Sequence, residues 1–185
     1  MAKLTILEFP DPRLRTKAAP VVEFDAALKQ LAADMLETMY EANGVGLAAQ
    51  QVGYSLQLTV IDVSDAENRP SRMWLAGAEV DPGEHMPLIL VNPELQLENE
   101  VEIGTEGCLS FPEITAEIPR AVKVKVEAQD LQGNRVEFEA AGLLGRAVQH
   151  EVDHLNGILF IDRMSSAAKA SHAGKLKRLA AESKE

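Results

Sequence analysis

Apolar residues recur at intervals of three and four between residues 24 and 42. The positions are Leu28, Leu31, Met35, Leu36 and Met39. This period places one apolar stripe along a helix, and Asp25 stands just before its first turn, where an N-cap is needed. The pattern therefore predicts an amphipathic helix that packs on a sheet.

The middle of the chain has the alternation and the short apolar runs of β-strands. The predicted strands are residues 56–63, 88–91, 100–106, 122–129 and 135–139. The last two flank Gln132-Gly133-Asn134, which suits a hairpin turn. Residues 64–87, between the first and second of these strands, are polar and contain turn-forming prolines and glycines. We expect this segment to be an excursion over the surface.

Helical patterns occupy the two ends of the chain. Residues 141–156 are predicted to form a second helix, and residues 167–183 a third with few apolar positions, which is expected to dock loosely or to fray. Strands in the middle and helices at the ends favour an α+β fold. We expect mainly antiparallel sheets packed around the second helix, with a C-terminal helix.

Composition narrows the class of protein. The 185 residues carry a net charge of −11, and 46% of them are hydrophobic. This length predicts one domain over residues 1–185. An acidic surface argues against DNA binding. From Arg163 onward, however, six Lys or Arg stand against two Glu, so a basic helix at about residues 165–185 ends the chain.

The single cysteine, Cys108, excludes an internal disulfide. No N-terminal signal segment and no apolar run long enough for a membrane span are recognisable. We therefore expect a cytoplasmic protein without membrane contact, in a reducing compartment where a free thiolate survives. A monomer is expected, although nothing in the sequence specifies the oligomeric state.

Residues 150–154, His-Glu-Val-Asp-His, carry the main chemical signal. Residues four apart share one helix face, so His150 and His154 are predicted to bind one metal ion, with Glu151 beside them. The alternative to metal binding is a helix that carries two partly exposed histidines without a ligand role. The pattern favours a hydrolytic metal site.

A catalytic site of this type needs a third protein ligand and leaves one position for water. In one protease class a histidine follows at the position that Phe160 occupies here, and in another a downstream glutamate completes the site. The acidic residues after Asp162 are only Glu182 and Glu185, in a polar tail. Cys108 remains, and although lone cysteines are usually inert and buried, we interpret it as the third ligand. One Cys with two His suits iron, zinc, cobalt or nickel.

Three blocks of this sequence resemble the three motifs of bacterial peptide deformylases, in the same order. They are Gly-Val-Gly-Leu-Ala-Ala-Gln-Gln at residues 44–51, Glu-Gly-Cys-Leu-Ser at residues 106–110, and Gln-His-Glu-Val-Asp-His at residues 149–154. The first block alone would be an ordinary glycine-rich turn into a strand. The similarity extends over nearly the whole chain.

The resemblance implies removal of the formyl group from the N-terminal formyl-methionine of nascent polypeptides, with release of formate. It implies that Cys108, His150 and His154 hold one divalent ion, Fe²⁺ in cells, with Zn²⁺, Ni²⁺ or Co²⁺ as alternatives. A metal-bound water attacks the formyl carbon, and Glu151 is the general base. By the family pattern, the side-chain amide of Gln51 and the backbone N–H of Leu109 stabilise the oxyanion.

The substrate is expected to lie extended along the backbone of Val45, Gly46 and Gly107, as the resemblance implies. Helical spacing adds Leu143 and Ala147, which share the face of the two histidines and are equally compatible with a methionine pocket or with ordinary core packing.

Three further expectations concern charged neighbours of the site. Arg146 is predicted to cover the pocket wall with its stem while its charge reaches water. Asp153 is a candidate acceptor for the outer N–H of a ligand histidine, and a solvated carboxylate is the alternative. Glu106 and Arg120 are predicted to pair across the cysteine segment. The basic C-terminal helix is a candidate contact to the ribosome.

Two other functions remain open at this point. A zinc endopeptidase shares the helix motif but gives the cysteine block no role. A binding module with a structural metal would need a fourth protein ligand. For that role only His85 and His172 are spare histidines, and both stand in poor contexts.

Overall fold

The computed structural model describes residues 3–66 and 68–182. Within these residues the helices are Ala26–Glu41 (α1), Gly142–Leu155 (α2) and Ser166–Glu182 (α3). The strands are Gly46–Ala48 (β1), Leu58–Ile61 (β2), Ser71–Leu75 (β3), Ala78–Val80 (β4), Leu88–Leu97 (β5), Val101–Cys108 (β6), Phe111–Ala121 (β7), Lys123–Gln129 (β8) and Arg135–Ala141 (β9). The predicted α+β class is confirmed.

The described strands form two sheets. The larger has seven strands in the order β1-β2-β5-β8-β9-β3-β4, and the smaller is the pair β6-β7. The pairings within these sheets are antiparallel. The order leaves β1 at one edge of the larger sheet and gives β6 a partner on one side only. These two edges flank the site described below.

Helix α1 begins where the sequence predicts. The Asp25 carboxylate accepts a hydrogen bond from the backbone N–H of Leu28 at 3.0 Å, which satisfies a donor of the first turn. Its apolar stripe, including the fully buried Met35 and Met39, packs against residues of β1 and β2 such as Leu47 and Leu58. The predicted packing of this helix on a sheet is confirmed.

Helix α2 is buried on all sides. Every residue from Leu143 to Leu155 is buried, including the polar ones. Buried polar groups need partners, and Gln149 illustrates how they are met: its amide binds the backbone N–H and carbonyl of Ala121 at 3.0 and 2.9 Å. The helix is thereby fixed to β7 as well as to the larger sheet.

The prediction of a surface excursion over residues 64–87 was wrong in part, because β3 and β4 lie within it. Strand β3 pairs with β9 and extends the larger sheet. Pro70 and Ser71, where β3 begins, accept hydrogen bonds from the first turn of α2. Pro70 O accepts from Leu143 N at 3.0 Å, and Ser71 Oγ accepts from Leu144 N at 2.9 Å. A side chain at Gly142 would collide with Pro70 O, at 2.3 Å.

Strand β7 was not predicted. It alternates buried Ile114, Ala116 and Ile118 with exposed residues, but Pro112 and Pro119 interrupt the sequence pattern. Proline is tolerated where a backbone N–H faces away from the partner strand. Its apolar side contributes to a hydrophobic cluster that also includes Leu179 of α3.

Helix α3 docks more firmly than expected. Besides the burial of Leu179, the ring nitrogen Nε2 of His172 lies 2.8 Å from the backbone oxygen of Thr115 on β7. Its basic residues Lys175, Lys177 and Arg178 remain exposed. No helix in the described part of the chain combines the length and the apolar character that a membrane crossing requires.

Candidate metal centre

Cys108, His150 and His154 converge in the folded chain. Their candidate ligand atoms all lie within 4.8 Å of one another. The Sγ atom of Cys108 is 3.3 Å from Nε2 of His154, although the two residues are 46 positions apart in the sequence. Both histidines are buried and the cysteine is partly buried. One thiol and two imidazoles form a donor set that suits borderline divalent ions.

Two elements deliver these side chains. Successive turns of α2 present His150 and His154, whose ring centroids are 5.0 Å apart. Strand β6 ends at Cys108, and its pairing with β7 shifts register between Gly107 and Cys108. Such a bulge redirects a side chain next to it. Here it brings the thiol to α2.

Glu106 orients His150. Its Oε1 accepts from Nδ1 of the imidazole at 2.8 Å, which leaves Nε2 of that ring available for a metal. The predicted pair with Arg120 is present and bidentate, at 2.8 and 2.9 Å. Burial alone would raise the pKa of Glu106, but the hydrogen bonds from Arg120 and His150 hold that pKa well below its usual value. The carboxylate is therefore charged.

The two histidines have opposite pKa shifts. Burial lowers the pKa of His150, but its contacts with Cys108 and Glu106 outweigh burial and raise that pKa well above normal. Burial, reinforced by the positive charges of His150 and Arg120, holds the pKa of His154 well below normal. The raised pKa means that the surroundings of His150 favour a positive charge, which a divalent cation would supply in place of the proton, and the lowered pKa keeps the ring of His154 neutral. These residues fit a divalent cation.

Glu151 lies beside this cluster with a free carboxylate oxygen. Its Oε1 is buried and has no hydrogen-bond partner among the described residues. Burial raises the pKa of Glu151 to about 7, despite the opposing charge of His150. Gly46 of β1 makes room for it, because a Cβ there would lie 2.5 Å from Oε2 of Glu151. A buried carboxyl that titrates near neutrality is suited to proton transfer.

Gln51 is buried, with 1% of its surface exposed. Its side-chain nitrogen donates to Ser110 Oγ at 3.0 Å and lies 3.7 Å from the Sγ of Cys108. Its side-chain oxygen accepts from the backbone N–H of Ala48 at 2.9 Å. Leu109 lies in the turn between β6 and β7. Without the family resemblance, the sequence pattern would have predicted Gln51 to be an exposed polar residue.

A cavity of about 350 Å³ opens beside the cluster. The predicted substrate-binding residues all line it: Val45, Gly46, Gly107, Leu143 and Ala147. Ile114 and Arg69 line it too, and neither was predicted from the sequence. The alternation of β7 is a signal for Ile114, whereas no pattern distinguishes Arg69 from the polar residues around it.

The prediction that Asp153 accepts from a ligand histidine was wrong. Its carboxylate accepts from Arg120 Nη1 at 2.5 Å and from Arg163 Nη2 at 2.8 Å. Glu106, for which only the pair with Arg120 was predicted, accepts from the ligand histidine His150 instead. Asp153 supports the site indirectly, because it holds the other end of the arginine that grips Glu106.

The prediction that the Arg146 charge reaches water was also wrong. Arg146 is 6% exposed. Its guanidinium donates to Glu106 Oε2 at 2.8 Å and to the backbone carbonyls of Ile118 and Glu102 at 2.7 and 3.1 Å. Gly104 packs on it, since a Cβ there would lie 2.9 Å from the guanidinium carbon. Arg146 thus joins Glu106 to the backbones of β6 and β7.

The chain is similar to known proteins over nearly its whole length. The family model of polypeptide deformylases matches residues 3–170. The chain is 51% identical to the peptide deformylase of Chromohalobacter salexigens over 166 residues, which cover 89% of this chain and 88% of that protein. It is 47% identical to that of Methylacidiphilum infernorum over 176 residues, 95% of this chain and 92% of that protein. A solved peptide deformylase structure from Legionella pneumophila is similar at a TM-score of 0.81 and 40% identity, over 96% of this chain and 95% of that one.

Proposed function

The chain belongs to the polypeptide deformylase family, and on that premise we propose how its residues remove the formyl group from the N-terminal formyl-methionine of nascent polypeptides. One observation supports the assignment of roles above all others. The thiol of Cys108 and the two imidazoles of His150 and His154 form one cluster, and the carboxylate of Glu151 beside it has an unsatisfied oxygen.

The family depends on a metal, and we assign Cys108, His150 and His154 as its ligands. When bound, a divalent cation would polarise the formyl carbonyl and make a water molecule more acidic. Glu106 keeps His150 in the tautomer that offers Nε2 to the ion, through the bond to Nδ1. The neutral form of His154 offers a lone pair without first losing a proton.

Glu151 is the general base in this proposal. Its carboxylate takes a proton from the attacking water and then passes it to the nitrogen of the leaving methionine. A pKa of about 7 in the protein lets the group both accept and release that proton near neutral pH. The water oxygen bonds to the formyl carbon and the C–N bond to methionine breaks, so that formate leaves and the transferred proton remains on the free amine.

Gln51 and the backbone N–H of Leu109 are proposed donors to the oxyanion. The Gln51 amide already lies at the cluster, 3.7 Å from Cys108 Sγ, and its oxygen is fixed by Ala48. Fixed orientation matters because a donor that need not reorganise stabilises the developing charge most.

We propose that the substrate backbone enters between β1 and β6. Both strands are open on the side that faces the cavity, so an extended peptide can lie along Val45, Gly46 and Gly107. The carbonyl of Val45 already accepts from Asp62 N at 2.8 Å, so Gly46 and Gly107 offer the open backbone groups. The methionine side chain then enters the cavity next to Leu143 and Ala147. Their apolar surfaces favour a long, unbranched thioether side chain.

The test is release of formate from formyl-Met-Ala-Ser by protein prepared without oxygen, together with its metal content. Glu151→Ala is expected to lose nearly all activity while it retains one metal per chain. Glu137→Ala, an exposed glutamate on β9, is the matched control and should remain active. Formate release by Glu151→Ala at the normal rate would refute the assigned base, and cleavage of internal peptide bonds instead would favour a protease.

For the metal itself we propose Fe²⁺ in cells, with Zn²⁺, Ni²⁺ or Co²⁺ able to replace it. The thiolate and imidazole ligands accept each of these ions. Elemental analysis after anaerobic purification is expected to find iron, and activity should fall on exposure to air and return with Ni²⁺. Stoichiometric zinc in fully active protein would contradict the iron assignment.

We further propose a single catalytic domain that acts as a monomer in the cytoplasm, where a reduced Cys108 persists. Size-exclusion chromatography with light scattering tests the oligomeric state, and a measured mass of two chains would refute the monomer.

Helix α3 is the proposed contact to the ribosome. Truncation after Arg163 would also uncover the apolar cluster that Leu179 completes, so charge reversal is the sharper test. The triple change Lys175→Glu, Lys177→Glu and Arg178→Glu should reduce co-sedimentation with ribosomes, whereas Lys29→Glu on α1 should not. Undiminished binding of the triple variant would refute the proposal.

A further inference from the structure

Arg69 stands at the mouth of the cavity. It belongs to the exposed segment before β3, yet it lines the cavity together with Gly107 and Leu143. Its Nη2 donates to the backbone oxygen of Thr105 on β6 at 2.9 Å. Among the described residues that line the cavity, Arg69 is the exposed cation, because Arg146 is buried against Glu106.

The backbone on both sides of Arg69 is anchored. Its own N–H donates to Ala66 O at 3.2 Å, and the carbonyl of the next residue, Pro70, accepts from Leu143 N at the start of α2. The backbone at Arg69 is therefore anchored to the start of the helix that carries two of the metal ligands, and the bond to Thr105 O joins the guanidinium to β6.

The contact with Thr105 lies on the open edge of β6. Val122 N donates to Glu100 O at 2.9 Å, which continues the β6–β7 ladder. Because backbone groups alternate between the two edges of a strand, those of residues 100, 102, 104 and 106 face β7. Those of Thr105 and Gly107 face the other way. Arg69 thus occupies the first acceptor beyond Gly107 along the edge where the substrate is proposed to pair.

We propose that Arg69 determines specificity at the third residue of the substrate, where it favours an acidic side chain and disfavours a basic one. The inference rests on the proposed function, which places the formyl end at Cys108. The chain beyond methionine must then run antiparallel to β6. Thr105 is three residues from Cys108, about 10 Å at the rise of a strand, which brings the third substrate residue beside Arg69.

The occupied carbonyl has a second consequence. With Thr105 O bound to Arg69, backbone pairing with the substrate ends at Gly107, so residues after the third leave the strand edge. The enzyme would then discriminate among substrates by the charge of the third residue and accept any sequence after it.

The experiment compares kcat/KM for three C-terminally amidated peptides, formyl-Met-Ala-X-Ser-amide with X as Glu, Gln or Lys, on the metal-loaded enzyme at low ionic strength. Amidation removes a terminal carboxylate that would itself attract Arg69. The order Glu, Gln, Lys is expected, with about twofold to fivefold between neighbours, as for a partly exposed ion pair. The differences should shrink in high salt.

Three variants separate the local charge from general effects. Arg69→Gln should bring the ratio of kcat/KM for the Glu and Lys peptides close to one, and Arg69→Glu should invert that ratio, whatever change either variant makes in the absolute rates. Arg72→Gln removes the same charge from the same segment, but Arg72 pairs with Glu79 outside the cavity and should keep the wild-type order.

An unchanged order in Arg69→Gln, or equal rates for the three peptides in the wild type, would overturn the inference while the formate assay still supports deformylation. Absence of formate from every peptide with metal-replete wild type would instead refute the proposed function.

Discussion

Two arginine–glutamate pairs in this molecule have nearly equal bond lengths and opposite surroundings. Arg120 and Glu106 meet at 2.8 Å with side chains that are 4% and 5% exposed. Arg72 and Glu79 meet at 2.7 Å with side chains that are 59% and 49% exposed. In water, solvent screens such a pair and already binds both groups well. In the interior, each charge depends on its partners. Distance alone therefore does not rank these contacts.

The buried pair is part of a larger cluster that reaches the metal site. Glu106 accepts from Arg120, Arg146 and His150, while Asp153 accepts from the far side of Arg120. The carboxylate is saturated, so the cluster compensates its own desolvation. The exposed pair on the β3–β4 hairpin has no such connection. The comparison predicts that substitutions in the buried cluster lower the free energy of unfolding much more than substitutions in the exposed pair.

Glu106→Gln is expected to have the largest effect. It removes the negative charge that Arg120 and Arg146 share, and it leaves one amide oxygen where two carboxylate oxygens now accept from these arginines and from His150. We expect a loss of about 3–5 kcal/mol in the free energy of unfolding and metal affinity weakened by about 10- to 100-fold. Urea unfolding and competition with a chelator measure the two. Glu79→Gln is the control, and normal metal retention in Glu106→Gln would show that Glu106 does not orient the ligand.

Arg120→Met should follow, with a loss of about 3 kcal/mol in the free energy of unfolding, the lower end for breaking a buried pair. Glu106 keeps Arg146 and His150, and Asp153 keeps Arg163, so neither carboxylate is left alone. Urea denaturation is the measurement, with Arg135→Met on the surface as the matched control. Equal stability of the two variants would mean that burial does not set the ranking.

Arg146→Met should cost less, about 2 kcal/mol, the range of a hydrogen bond to a charged group. Methionine fills most of the space of the arginine stem, but the carbonyls of Glu102 and Ile118 lose a donor. The metal should stay bound, because Arg120 still holds Glu106. Denaturation combined with metal analysis distinguishes this variant from Glu106→Gln, and loss of metal would assign Arg146 a larger role at the site.

Arg72→Gln should have the smallest effect, with the free energy of unfolding unchanged within the error of the measurement, since both partners remain solvated. Thermal unfolding at low and high salt checks this. Destabilisation comparable to that of Arg120→Met would show that the exposed pair contributes as much to stability as the buried pair.

Much of the site follows from local spacing. The interval of four residues between His150 and His154 requires one helix face, and Asp25 with its apolar stripe specifies α1, because a helix relates residues that are close in sequence. Elimination of Phe160, Glu182 and Glu185 left the lone cysteine as the third donor without any knowledge of the fold. The family resemblance then supplied roles for Gln51 and Leu109 that no spacing indicates.

Strand β7 shows where pattern reasoning fails. Pro119 lies opposite Ile103, an odd-numbered residue of β6 whose backbone groups face away from β7, so the missing N–H of this proline costs the ladder nothing. That compatibility depends on register, and register depends on two strands rather than one.

The sequence by itself determined the helices, the strand-rich middle and the residues available for chemistry, because those depend on periodicity and on residue type. Only the tertiary structure decided that Glu106 orients His150 across 44 positions, that Arg146 is buried rather than solvated, and that Arg69 reaches the cavity. Each of these is a contact between distant segments. The partner that a charged side chain finds is set by how the sheets and α2 pack, and periodicity along the chain carries no record of it.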